Sequence, residues 1–217
     1  IDPYSIQTAL ICIENTHNAG GGTIYPLATI QAIRAVANAH RVPMHLDGAR
    51  LFNAVVASGV SAADYAHYFE TVTFCLSKGL GAPAGSLIAT DDPTILERLR
   101  RFRRMYGGAM RQSGILAAAG LYALEHHIPR LANDHAHATR LAARLHQIAS
   151  VAINPAAVET NILFFDVHHP RLTAPAFVTA LRQEGVLLNA VNAKTCRAVT
   201  HLDVSTDAID QAADAIA

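Results

Sequence analysis

Hydrophobic positions in the first half of the chain follow two rhythms. The short apolar runs "ALICIE" (9–14), "VPMHLD" (42–47), "TVTFCLS" (71–77) and "GSLIAT" (85–90) read as strands. "PLATIQAIRAVANAH" (26–40) instead repeats at helical spacing, with Leu27, Ile30, Ile33 and Ala37 on one face and Pro26 at its start. "SAADYAHYF" (61–69) reads as a short helix. Strands alternating with helices predict an α/β unit, a mainly parallel sheet sandwiched by helices. "DDPTILERLRRFRRMYGG" (91–108) carries a full set of helix signals: Asp92 as cap, Pro93 in the first turn, Gly107 and Gly108 as the stop. Two further helical stretches follow, "MRQSGILAAAGLYALEHH" (110–127) and "RLANDHAHATRLAARLHQIA" (130–149).

Beyond residue 150 the pattern changes. "VAINP" (151–155), "NILFFDV" (161–167), "VLLNAV" (186–191) and "RAVTHLDV" (197–204) read as strands, and "APAFVTALRQEG" (174–185) as a helix. The closing helix, "STDAIDQAADAIA" (205–217), has Ser205 as cap and Ala208, Ile209, Ala212, Ala213 and Ile216 as its apolar face. This is a small α+β unit. The expected organisation is residues 1–124 as part of a large domain and 125–217 as a small C-terminal domain.

Charge adds little. Seventeen Lys and Arg balance seventeen Asp and Glu, so nothing points to nucleic acid or an anionic membrane. No apolar run approaches the roughly 20 residues that span a bilayer. The opening "IDPYSIQTAL" has no charged leader region, so a cytoplasmic protein is expected. It also lacks an initial Met, which suggests a fragment or a processed form. Cys12, Cys75 and Cys196 have no metal spacing and are expected to be buried reduced thiols. The histidines of "EHH" and "NDHAHATRLAARLH" are expected on solvated helix surface, with no metal. The arginines of "RLRRFRR" (98–104) are expected on a solvated or subunit-contacting face.

Candidate chemistry sits where the strands end, since open α/β sheets bind ligands at the carboxyl ends of their strands. "ALICIENTHN" ends in Glu14, Asn15, Thr16, His17 and Asn18. "MHLDGAR" ends in Asp47, with Arg50 a turn later, and "TFCLSK" ends in Lys78. Parallel strands would bring all three ends to one rim. A lysine amine and a carboxylate there suit pyridoxal phosphate, which needs an amine for its Schiff base and an acid beside the pyridine nitrogen. Desolvation by "FCLS" would help Lys78 lose its proton. A structural Asp–Lys pair, or two unrelated surface groups, satisfies the same spacing. His17 reads either as a base or ring neighbour or as a polar residue holding its turn.

Taken together, "ENTHN", "HLDGARLFNA", "CLSKGLGAPAGS", "GGAMRQSGILAAAG" and "THLDVS" resemble, in order and over nearly the whole chain, the low-specificity L-threonine aldolases. These are pyridoxal-5'-phosphate enzymes of the aspartate-aminotransferase fold type. The resemblance implies that Lys78 holds the cofactor, Asp47 pairs with the pyridine nitrogen, and Arg50 lies near the ring hydroxyl and the substrate carboxylate. It also implies that Arg197 clamps that carboxylate, a task suited to a planar, permanently charged guanidinium. The implied activity is cleavage of L-threonine, L-allo-threonine and related β-hydroxy-α-amino acids to glycine and an aldehyde. The implied assembly is a dimer of dimers. A β-eliminating lyase or aminotransferase of the same fold, and a catalytically incomplete fragment, are the alternatives. Family members carry a further N-terminal region with a glycine-rich phosphate loop and a ring-stacking histidine. "NAGGGT" (18–23) follows the wrong motif to replace that loop.

Overall fold

The computed structural model describes residues 6–217, so half of the "IDPYSIQTAL" opening lies outside the described residues. The chain forms two compact units. One comprises residues 6–16 and 25–127; the other comprises 17–24 and 128–217.

In the first unit, β1 (Ile11–Glu14), β2 (Met44–Gly48), β3 (Thr71–Cys75) and β4 (Ser86–Ala89) form one sheet in the order β1-β2-β3-β4. The first three strands are parallel, but β4 runs antiparallel to β3. A direct return explains the exception: only the turn around Lys78 separates these two strands, and a parallel crossover needs a dozen residues or more. Helices α1 (Leu27–His40), α2 (Leu51–Ser58) and α3 (Ala62–Ala66) connect the parallel strands, and α4 (Pro93–Met105) and α5 (Gly114–His126) follow β4. Ile13, Met44, Leu46, Val72, Ile30, Leu51 and Tyr65 are buried in this unit. Gly48 is required by packing, because a Cβ there would lie 2.6 Å from the Thr73 carbonyl oxygen. The α4 start is as expected: Asp92 Oδ1 accepts from the backbone N–H groups of Thr94 (2.7 Å) and Ile95 (3.3 Å).

The second unit has an antiparallel sheet of β5 (Val151–Ala152), β6 (Ile162–Val167), β7 (Asn189–Ala190) and β8 (Thr195–Val199), in the order β5-β6-β8-β7. Helices α6 (Leu131–Leu145), α7 (Ala174–Gln183) and α8 (Thr206–Ile216) complete it. Leu163, Phe165 and Val167 of β6, with Cys196 and Ala198 of β8, enter one core with Leu141, Leu145, Leu181, Ile209 and Ile216. The strand expected over 186–191 shrinks to β7, and the one over 197–204 stops at Val199. There Thr200 turns its hydroxyl to the Asp134 carbonyl (2.6 Å), and "THLD" leaves the ladder. Cys196 is buried, and burial, helped by the Asp166 charge, pushes its thiol up to about 11. Cys12 and Cys75 correct the expectation of three buried thiols: Cys12 is exposed on β1 and Cys75 half-buried on β3.

The other face of this sheet is covered by residues 17–24, a strap supplied from the far end of the sequence. The Thr160 hydroxyl donates to the Gly22 carbonyl (2.7 Å), and the Ile24 N–H donates to the Glu159 carboxylate (2.9 Å). The strap closes on itself through His17 N–H to the Thr23 carbonyl and Gly22 N–H to the His17 carbonyl, both 2.9 Å. Gly22 has φ +76°, and a Cβ there would meet Thr160 Oγ1 at 2.4 Å. Only glycine fits.

Candidate functional site

Register fixes the rim of the first sheet. Glu14 stands opposite Asp47, and Asp47 opposite Thr73. Asn15, Asp47 and the turn that leaves β3 therefore share the carboxyl edge of three adjacent parallel strands, where ligands bind in open α/β sheets. Asp47 is exposed there, and its Oδ1 accepts from the Ala49 N–H (3.0 Å), which leaves the second oxygen for a ligand. Arg50 is half-buried and caps α2 one turn on.

Lys78 departs from expectation. The strand ends at Cys75, three residues earlier, and Lys78 stands exposed on the following turn. What the local sequence does supply is a fixed mount. Gly81 N–H donates to the Lys78 carbonyl (2.8 Å), Ala82 N–H to the Leu76 carbonyl (3.0 Å) and Leu76 N–H to the Gly85 carbonyl (2.9 Å). Leu76, Leu80 and Ala82 are buried around it. His127 adds a clamp: its Nδ1 lies 2.6 Å from the Leu80 carbonyl, so that nitrogen carries the proton. The "EHH" histidines were expected on solvated surface; His127 is instead half-buried beneath the Lys78 turn.

Two further residues escape sequence spacing. Asn15 and Thr16 are both within 1 % of full burial, and Asn15 Nδ2 and Thr16 Oγ1 have no hydrogen-bond partner. Asn15 Oδ1 accepts from the Tyr25 N–H (3.3 Å), which orients the amide and leaves its donor unused. Buried polar groups are rarely left unpaired, so these two are groups that a polar ligand or a water could use. "ENTHN" flagged the segment but could not single these two out.

Arg197 belongs to the other unit. Its strand neighbours Cys196 and Ala198 enter the core, so Arg197 faces the strap side of the sheet, opposite Phe164 in register. Its Nε is buried and has no hydrogen-bond partner. Asp47, Arg50 and Lys78 thus belong to the first unit and Arg197 to the second. No group of His, Cys, Asp or Glu able to hold a metal ion occurs among the described residues. No helix of the described residues is long and apolar enough to cross a membrane.

Residues 1–168 match the family model described as "Beta-eliminating lyase". The chain is 41% identical over 201 residues to "Low-specificity L-threonine aldolase 1" of Arabidopsis thaliana, covering 92% of this chain and 56% of that protein. It is 39% identical over 212 residues to "Low specificity L-threonine aldolase" of Escherichia coli strain K12, covering 98% and 60%. It spans less than two thirds of the length of these curated relatives. Among solved structures, a putative L-allo-threonine aldolase from Listeria monocytogenes superposes with TM-score 0.78 at 21% identity, over 94% of this chain and 60% of that one.

Proposed function

We propose, for a chain that belongs to the beta-eliminating lyase family, the work of a pyridoxal-phosphate-dependent carbon–carbon lyase that cleaves L-threonine, L-allo-threonine and related β-hydroxy-α-amino acids to glycine and an aldehyde. The observation that carries this is the shared rim of β1, β2 and β3. Asp47 and two polar side chains without partners lie at the carboxyl edge of three parallel strands, with Lys78 on the turn that leaves β3, and this arrangement supports the reading. Lys78 would hold the cofactor through its amine. Asp47 would keep the pyridine nitrogen protonated, and Arg50 and the Asn15 amide would face the ring's polar substituents. Arg197 would take the substrate carboxylate on its unpaired donor. The bound cofactor supplies a sink for the electron pair released when the Cα–Cβ bond breaks. Asp47, as a fixed anion, holds that sink ready. Relatives named low-specificity aldolases support this substrate class.

Product identity in the full-length protein tests it. Threonine should yield glycine and acetaldehyde in equal amounts. A 2-oxo acid with ammonia would establish β-elimination instead, and no turnover with full cofactor occupancy would refute a lyase.

A further inference from the structure

We propose that His127 is a positioning residue for the Lys78 amine and acts through one peptide group, the one that joins Leu80 to Gly81. This rests on the assignment of Lys78 to the cofactor made above. Lys78 opens a β-turn that the Gly81 N–H closes by donating to the Lys78 carbonyl at 2.8 Å. The carbonyl of that same peptide group, which is Leu80's, accepts from His127 Nδ1 at 2.6 Å. A peptide group is planar, so its carbonyl and its N–H cannot turn independently. The histidine therefore sets the tilt of a plane whose other end holds the Lys78 backbone. Gly81, at φ +70°, gives that plane unusual freedom to turn, since glycine tolerates both signs of φ.

His127 is itself firmly mounted. It closes α5, where its backbone N–H donates to the Ala123 carbonyl at 2.9 Å, and its ring stands edge-on to Tyr122 with centroids 5.4 Å apart. The same helix meets the start of the turn: a Cβ on Gly120 would lie 2.8 Å from Leu76 Cδ1. Leu76, Leu80 and Gly120 are all buried there. One helix thus grips the turn at two points, by packing at Leu76 and by a hydrogen bond at Leu80. Packing sets where the turn lies, and the hydrogen bond sets which way its peptide faces. Lys78 is exposed and contributes no packing that would do so instead. Asparagine carries its Nδ2 at the same number of bonds from Cβ as histidine carries Nδ1, whereas phenylalanine keeps a ring and removes the donor.

The test compares two ligands in the full-length protein, with amide hydrogen exchange of the cofactor-free form as an independent readout. Removing a bond of this kind should cost about tenfold, so His127→Phe should weaken pyridoxal phosphate binding by about that factor. His127→Asn restores the donor and should stay within about twofold of the parent. Deoxypyridoxine phosphate has a methyl group in place of the aldehyde and cannot bond to the amine. Its affinity should change by less than about twofold in His127→Phe, because His127 acts on the amine and not on the rest of the site. In the cofactor-free protein, His127→Phe should speed exchange over residues 79–82 and leave α5 protected. Unchanged pyridoxal phosphate affinity in His127→Phe, an asparagine variant no better than phenylalanine, equal losses for the two ligands, or exchange raised equally across α5 would each overturn the proposal. If the full-length parent bound neither ligand, the cofactor assignment would fall instead, and the exchange result would still decide whether His127 holds the turn.

Discussion

At the scale of single residues, Lys78 and Asp47 carry the sharpest expectations. Borohydride reduction of the full-length protein should tag one peptide, that of Lys78, and Lys78→Ala should remove both the tag and the visible absorbance. A tag on Lys194 would overturn the assignment. Asp47→Asn should keep some cofactor yet lose most of the rate, since an amide cannot hold the pyridine proton; turnover near that of the parent would make Asp47 structural. Arg197→Ala should reduce kcat/KM for threonine by roughly tens to thousands-fold, the cost of leaving a charge partner unpaired. Visible absorbance should survive that change, and Arg197→Lys should rescue only partly, because a point charge cannot replace the fork. An alanine variant with unchanged kcat/KM refutes the carboxylate role. The place of Asp47 at the close of an apolar run was legible in the sequence, and it lies at the carboxyl end of β2. Asn15 and Thr16 were not legible, since what marks them is burial without a partner, and spacing carries no record of partners. The exposure of Lys78 was hidden for a related reason: "TFCLSK" reads as one run, but the ladder stops at Cys75.

At the scale of elements, helix ends were read best where a side chain makes the cap. Asp92 and Ser205 both accept from the helix N–H groups they were expected to cap. The apolar run "VLLNAV" misled because hydrophobicity does not create a ladder: Leu187 and Val191 are exposed and only two residues pair. The last helix offers a pH-dependent test. Asp210 on α8 is gripped by Arg140 on α6, through bonds of 2.8 and 2.7 Å, and by Arg144 at 3.2 Å. Chiefly the Arg140 hydrogen bonds hold its carboxyl down to about 2, below its ordinary value of 3.8. A carboxyl lowered by folding contributes stability above its unfolded value and loses it as pH falls from about 4 toward 2. Asp210→Asn should therefore lower Tm near neutrality and change it little near pH 2. Equal Tm loss at both pH values would show that the ion pair is not the cause.

At the scale of the whole molecule, the α/β class and the small α+β unit were legible from rhythm alone, because period two and period 3.6 rarely mimic each other over long stretches. The strap was not, since no local pattern tells a loop that it belongs to a sheet more than a hundred residues away. Large apolar side chains on β4, α4 and α5 are exposed, among them Leu87, Ile88, Met105, Ile115 and Leu121. Patches of this kind mark surfaces that other protein covers. The glycines of 18–23 are already engaged with β6 and its approach, Gly22 through Thr160 and Gly21 against Phe164. Phosphate is commonly gripped by free backbone N–H groups of a glycine-rich turn or helix start. The 217-residue chain by itself should therefore bind pyridoxal phosphate weakly. Micromolar affinity in a direct titration would contradict this.

The strap also has a consequence in time. It joins partners 138 residues apart, Gly22 and Thr160, and 135 apart, Ile24 and Glu159. On the ribosome it is among the first segments of this stretch to emerge, and its docking site is made much later. At about 5–20 residues per second, that is a wait of several seconds or more. Until β6 arrives, Gly20–Gly22 have nothing to lie on; without the strap, Ile162 and Phe164 would lack the chain that covers them. Closing so long a loop costs entropy before any contact repays it.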